Sequence, residues 1–266
     1  MSRLVTHPFR TFAAASALLL LLCGSARAQG GILPFNPTHY WTYHDLHPVT
    51  QPQSILVMDQ FYRQPIPIDE DQRQRLLNWV HKNNSAVPDT FLHYTWWNIV
   101  QKLPTPRRVI VTNQFGSAIV QVQNLEFMLV PALKNPNAAN FNPPVANHYL
   151  CYRATGFPPP PTGYDLRDEW RVDFQQPLPM EYLCTPCWKA HLGQVFPAVD
   201  TVTHFAVYPI QPQSDVFQPF LLDQFFRGPT LVQQFPLEYL FVPSEKTELP
   251  VPTQKRTWGR VKGMYR

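Results

Sequence analysis

No glycine-rich phosphate loop, no Gly-x-Ser-x-Gly and no His-Glu-x-x-His occurs anywhere in the 266 residues. These absences leave unsupported a backbone cradle for nucleotide phosphates, the exposed serine of an α/β-hydrolase and the paired histidines of a zinc protease. Clustered Lys and Arg are also missing from the body of the chain. Residues 29–246 carry 14 basic against 17 acidic groups, and five basic residues (Lys255, Arg256, Arg260, Lys262, Arg266) sit in the last twelve positions. A nucleic-acid binder needs its positive charge on the folded face, so no nucleic-acid partner is expected. Long apolar runs are absent beyond Ala28, so no transmembrane segment is expected either. Cysteine is scarce, with four in all.

The stretch 1–28 reads as a processing segment. Arg3 and Arg10 supply a positive start, and Phe12 to Cys23 an apolar run too short to cross a bilayer. Ala26-Arg27-Ala28 then forms a small-x-small cleavage site. Cys23 follows leucines, where lipid attachment calls for a small residue. The expectation is a signal peptide over 1–28, cleavage after Ala28, and a secreted or periplasmic product. Residues 29–38 form a short N-terminal segment, and the basic stretch 247–266 is expected to fray in solvent.

Proline is abundant, 30 of 266 residues, about twice the usual ~5%. It is excluded from helix interiors and central strands, so long helices do not fit and short strands with irregular connections do. Against this background one pattern occurs four times. It opens with His39-Tyr40, His93-Tyr94, His148-Tyr149 and His204-Phe205, a nearly constant step. A triplet follows: Asp59-Gln60-Phe61, Asn113-Gln114-Phe115, Asp168-Glu169-Trp170 and Asp223-Gln224-Phe225. The spacing from histidine to the middle of the triplet is the same in the first three copies and one shorter in the fourth. Each copy closes on a lysine: Lys82, Lys134, Lys189 and Lys246. So regular a period means one structural unit copied four times.

Within a copy, period two puts Tyr149 and Cys151 on one strand face and His148, Leu150 and Tyr152 on the other. The Asp or Asn of the triplet can bond nearby backbone and end a strand. The last strand recurs as Leu125-Glu126-Phe127-Met128-Leu129-x-Pro131 and its counterparts ending at Pro186 and Pro243. Copy one conflicts locally, because Asp69-Glu70-Asp71 followed by Gln72 to Trp79 resembles a capped helix. It nevertheless aligns onto copy four without gaps, since the intervals Phe61 to Lys82 and Phe225 to Lys246 are equal, and a strand is expected there. The fold class is all-β. The four degenerate repeats of about 55 residues are expected to pack in pairs as sandwich- or barrel-like domains, 39–134 and 148–246, across a turn-rich linker at 135–147. A four-blade ring is the competing arrangement.

Three cysteines follow the leader, Cys151, Cys184 and Cys187, all in copy three. Cys151 stands where the other copies carry Thr42, Trp96 and Val207, and Cys184 where they carry Leu77, Leu129 and Phe241. Both positions read as inward-facing, and both change together. The expectation is a disulfide between neighbouring first and last strands, closing the loop from Cys151 to Cys184, with Cys187 unpaired. Two alternatives compete. His148-x-x-Cys151 with Cys184-x-x-Cys187 has zinc-like spacing, although His148 and Cys151 fall on opposite faces. Cys184-Thr185-Pro186-Cys187 resembles a redox dithiol, although it ends a strand where that motif begins a helix.

The recurring polar residues are read as structural: His39, His93, His148 and His204, with Gln60, Gln114, Glu169 and Gln224. Residues kept in every degenerate copy suit a job that each copy needs, such as a strand-end hydrogen bond or a pairing of Glu126, Glu181 and Glu238 with lysines. A catalytic pair must instead be matched at one place. Glu169 stands out as a carboxylate where the other copies have glutamine, and beside Asp168 and Asp173 it could help hold a hard cation. Neither catalytic residues nor a cofactor are expected. The reading is a non-enzymatic structural or binding module of the envelope or extracellular space, with an unidentified partner there. The alternative is a thiol- or metal-dependent activity centred on Cys151, Cys184, Cys187 and Glu169.

Copy three, His148-Tyr149-Leu150-Cys151-Tyr152 through Leu183-Cys184-Thr185-Pro186-Cys187-Trp188-Lys189, resembles an exported bacterial repeat family of unknown function. Asn113-Gln114-Phe115-Gly116 and Phe241-Val242-Pro243-Ser244-Glu245-Lys246 match further parts of that pattern. The resemblance implies export and an all-β repeat, and it brings no activity and no catalytic residues.

Overall fold

The structure is a computed structural model describing residues 38–249, except 88–89, 137–144, 213–215, 226–229 and 232–233, and except the side chains of 47–49 and 234–236. The signal-peptide expectation therefore lies outside the described residues, as do the basic tail beyond 249 and much of the 135–147 linker. Among the described residues every element is a strand. Copy one supplies β1 (His39–Met58) and β2 (Ile66–Lys82), and copy two β3 (His93–Ile99), β4 (Pro104–Asn113) and β5 (Gly116–Lys134). Copy three supplies β6 (His148–Thr155), β7 (Tyr164–Arg167), β8 (Val172–Gln175) and β9 (Tyr182–His191), followed by β10 (Gln194–Phe196). Copy four supplies β11 (His204–Pro209), β12 (Phe220–Asp223), β13 (Thr230–Leu231) and β14 (Gln234–Glu248). The helix-like stretch 69–79 lies inside β2, where cross-strand pairing to β1 and β3 overrides its local capping signal.

The first and last strands of each copy lie side by side, and each copy then pairs with the next. Tyr40 faces Trp79, Leu77 faces Tyr94, Trp96 faces Leu129 and Phe127 faces Cys151. Cys151 faces Cys184, Cys184 faces Phe205, Val207 faces Phe241, and Phe241 returns to Tyr40. Eight antiparallel strands thus form a closed ring of pairings. This corrects the expected division into two paired bodies. Copies two and three are hydrogen-bonded as fully as copies one and two, and the described residues fall in one compact unit. Closure leaves no open edge in the ring, which two separate pairs would have exposed.

Period two carries the opening aromatics inward. Tyr40, Tyr94, Tyr149 and Phe205 form a fully buried tetrad, with ring centroids 5.4, 5.8, 4.9 and 5.8 Å apart around the square. Edge-on aromatic contacts of this kind add roughly 0.5–1.5 kcal/mol each beyond area burial. Below the tetrad lie Leu77, Trp96, Leu129, Val207, Phe241 and the Cys151–Cys184 disulfide. Lower still, the Arg75 guanidinium lies 4.3 Å from the centre of the Trp96 ring and bonds Glu238 at 2.6 Å. Replacing both bonded cysteines by alanine is expected to cost about 3–4 kcal/mol in urea denaturation, the chain-entropy value for this loop.

The ring's outer face is also apolar, and it is covered by the middle segment of each copy. That segment reaches two copies along. The end of β1 pairs with β9, β4 with β14, β7 with β2 and β12 with β5. Copy one therefore covers copy three, two covers four, three covers one and four covers two. Val57, Phe61, Val109, Val111, Leu166 and Phe225 pack in this way against Trp41, Trp97, Tyr152, Tyr208 and their neighbours.

Candidate functional site

Each triplet sits at a turn and acts as a clasp. Oδ1 of its first residue accepts the backbone N–H of the third, at 2.8 Å for Asp59 and Asn113, 2.7 Å for Asp168 and 3.0 Å for Asp223. The remaining atom of the same group reaches the copy two places away. Oδ2 of Asp59 accepts from Tyr152 at 2.8 Å and from Thr185. Oδ2 of Asp168 accepts from Trp41 (2.8 Å), Tyr43 (2.8 Å) and Asn78 (2.6 Å). Oδ2 of Asp223 accepts from Thr95 (2.8 Å) and Trp97 (3.2 Å). In copy two the amide of Asn113 donates instead, to Tyr208 at 3.0 Å and Ser244 at 3.3 Å, both of which can accept.

The third residue of each triplet lies under the closing lysine of the preceding copy. Lys134 stands 4.5 Å from the centre of the Trp170 ring, Lys189 4.5 Å from Phe225, Lys246 5.0 Å from Phe61 and Lys82 5.6 Å from Phe115. Such pairs contribute about 0.5–2 kcal/mol, more where water is excluded. The middle residue is less uniform. Gln114 meets the imidazole of His39, Gln224 that of His148 at 2.5 Å, and Gln60 donates to the Thr201 carbonyl at 3.3 Å. Glu169 instead forms an ion pair with Lys134 and accepts from Asn78.

The opening histidines His93, His148 and His204 do not titrate near neutrality. Burial, with the positive Lys134 nearby, lowers His93 to about 3. Burial lowers His204 to about 4, and burial together with Lys189 holds His148 well below its ordinary value. The recurring glutamates pair outside the closing-lysine set: Glu126 with Lys102, Glu181 with Arg153, Glu238 with Arg75.

The copy-three alternatives lack a common centre. Cys151 and Cys184 are joined inside the ring, while Cys187 lies on the outer face, buried. Burial pushes its thiol well up, so it stays protonated and is a poor nucleophile or metal ligand. The cation reading of Asp168, Glu169 and Asp173 fails on donor chemistry. Five N–H or O–H groups point at the Asp168 oxygens, Lys134 neutralises Glu169, and Asp173 faces Arg171 and Gln175. Among the described residues no group of three His, Cys, Asp or Glu is placed to hold a metal.

Two features escaped the sequence reading. Glu70 and Lys189 are wholly buried, and neither Glu70 oxygen nor the Lys189 Nζ has a hydrogen-bond partner among the described protein atoms. Burial raises Glu70 to about 8 and lowers Lys189 to about 8. The second is an open pocket of about 380 Å³ lined by Trp79, His81, Asn84, Arg167, Asp168 and Glu169. One signal for it was present: Trp79 stands where the other copies carry Pro131, Pro186 and Pro243. No curated protein and no solved structure matches the chain. A family model described as a repeat of unknown function (DUF7450) matches residues 93–235, more than half of the chain, which therefore belongs to that repeat family.

Proposed function

We propose that the chain is an exported, non-enzymatic structural or binding module acting in the cell envelope or the extracellular space. The observation that carries this reading is the use made of the repeated polar residues. Asp59, Asn113, Asp168 and Asp223 each clasp another copy, and the closing lysines cap the next copy's aromatic ring. Such residues hold a scaffold together, whereas catalysis gathers matched groups at one place. The buried disulfide supports an oxidising compartment. Among the described residues no helix is long and apolar enough to cross a membrane.

Fractionation of cells expressing the full chain, with thiols trapped at lysis, tests the reading. The chain is expected outside the cytosol, taking no thiol label while folded. Once unfolded it takes a single label, at Cys187, and two more only after reduction. Its retention in the envelope or extracellular fraction is expected to survive Cys187→Ala. Recovery in the cytosol with Cys151 and Cys184 reduced, or a retention that collapses in that variant, overturns it.

A further inference from the structure

The four corners of the ring are built alike, but one departs from the shared pattern at several positions together. Trp79 replaces the proline of the other copies, Glu169 a glutamine, Trp170 a phenylalanine, and Asn78 stands where they carry Val130, Thr185 and Val242. All four meet where copy three clasps copy one, and two of them, Trp79 and Glu169, line the 380 Å³ pocket. That volume falls within the range of about 300–1,000 Å³ typical of small-molecule sites. A corner needing only the common clasp has no use for an added indole beside a solvent-open cavity.

We propose that this pocket is a carbohydrate-binding site, seating a pyranose ring against the Trp79 indole and holding its hydroxyls with Arg167, Asn84 and Glu169. The proposal rests on the binding-module reading and names the ligand class of that module. The half-buried indole is fixed edge-on by His81, with centroids 5.4 Å apart at 88°. It offers an apolar plate that suits the C–H face of a sugar. The surrounding polar groups are planar and of both kinds. Arg167 and Asn84 are exposed and donate, while Glu169 keeps spare acceptor capacity beyond its bonds to Lys134 and Asn78. Asn84 is held at the rim by a left-handed backbone, φ 59°.

Charge argues against an ionic ligand. Arg167 and Lys134 balance Asp168 and Glu169 at the site, so neither a phosphate nor a metal ion meets an excess of opposite charge. A neutral molecule whose hydroxyls both donate and accept is the chemistry that uses every group present.

The test is titration of the full chain with methyl glucoside, methyl galactoside, methyl mannoside and N-acetylglucosamine. Binding is read by the Trp79 indole signal in nitrogen-15 NMR and by calorimetry. At least one glycoside is expected to give a saturable shift of that indole. Arg167→Ala is expected to weaken it about tenfold and Asn84→Gly, which keeps the left-handed turn, about threefold. Trp79→Ala should abolish binding. Should that variant fail to fold, the two exposed substitutions carry the test. No saturable response to any of the four sugars overturns the proposal. So does binding unchanged by Arg167→Ala and Asn84→Gly, or an indole that responds only to inorganic phosphate or acetate. The fractionation experiment reads the module separately. Retention without sugar binding sinks this site alone, whereas loss of retention sinks the broader reading.

Discussion

Replacing Asp168 by alanine is expected to lower the unfolding free energy by roughly 4–6 kcal/mol, from three donors that lose this acceptor at about 1–3 kcal/mol each plus the loss of a turn acceptor. The carboxylate is buried, and its Oδ2 accepts from the Trp41 indole N–H, the Tyr43 hydroxyl and the Asn78 amide. Its Oδ1 also holds the backbone N–H groups of Trp170 and Arg171 in the turn. Alanine removes the acceptor that these groups share. Asp168→Asn is a sharper probe, since it keeps the shape but turns an amide N–H₂ toward three donors. It should cost nearly as much as alanine. Asn113→Asp, by contrast, should be mild, because Tyr208 and Ser244 carry hydroxyls that can donate to a carboxylate as readily as they accept from the amide. Urea denaturation with an unchanged m-value reads these differences. A loss below about 1 kcal/mol for Asp168→Ala, the size of an ordinary surface change, would sink the clasp account.

The contribution of Glu70 and Lys189 to stability should fall as pH rises from about 4.5 to about 8, and recover above that. In the fold the Glu70 carboxyl keeps its proton up to about 8, whereas an unfolded glutamate releases it near 4.5. Between those values the folded chain binds more protons, so raising the pH favours unfolding. The stabilising protonation is complete below 4.5 and fully lost above about 8. Lys189 acts in the opposite direction. Its folded pKa is lowered to about 8 from 10.5, so between these values the unfolded chain binds more protons and rising pH restores stability. The two windows meet in a trough near pH 8. Its depth from the acid side is on the order of 5 kcal/mol, from about 1.4 kcal/mol per pKa unit between 4.5 and about 8.

Glu70→Gln combined with Lys189→Met keeps the volumes and removes both titrations. Replacing buried ionisable groups by neutral ones of similar size is often neutral or stabilising by about 1–4 kcal/mol. The variant should therefore gain on the parent most at pH 8 and least at pH 5. Comparing the two proteins isolates this pair from the other buried groups, the low-titrating histidines among them. Parallel pH profiles for parent and variant would contradict the assignment.

How much of this was readable beforehand differs from residue to residue. Tyr149 and Cys151 could be placed on one face because a strand alternates with period two, whatever surrounds it. The turn role of the Asp or Asn in each triplet was equally local, since its partner lies two residues away. Where local signals disagreed, over Asp69 to Trp79, the alignment with copy four outweighed the helix-like capping, and cross-strand pairing is the reason it had to. Glu70 gave no local sign of burial, standing between two aspartates. Its burial depends on β1 and β3, which flank it from elsewhere in the chain. Trp79 and Glu169 were each visible as departures from the repeat, yet nothing in their spacing brings them together.

By itself the sequence determined the unit, its number, its strand character and the adjacency of its first and last strands. These follow from periodicity and from contacts within one copy. Only the tertiary structure decided which copy grips which, and hence that four copies share one ring and that Trp79 of copy one lines a pocket with Glu169 of copy three. The reason is degeneracy. Four near-identical clasps and four near-identical docking faces can be matched in several ways of similar local energy, and closure of the eight-stranded ring selects among them.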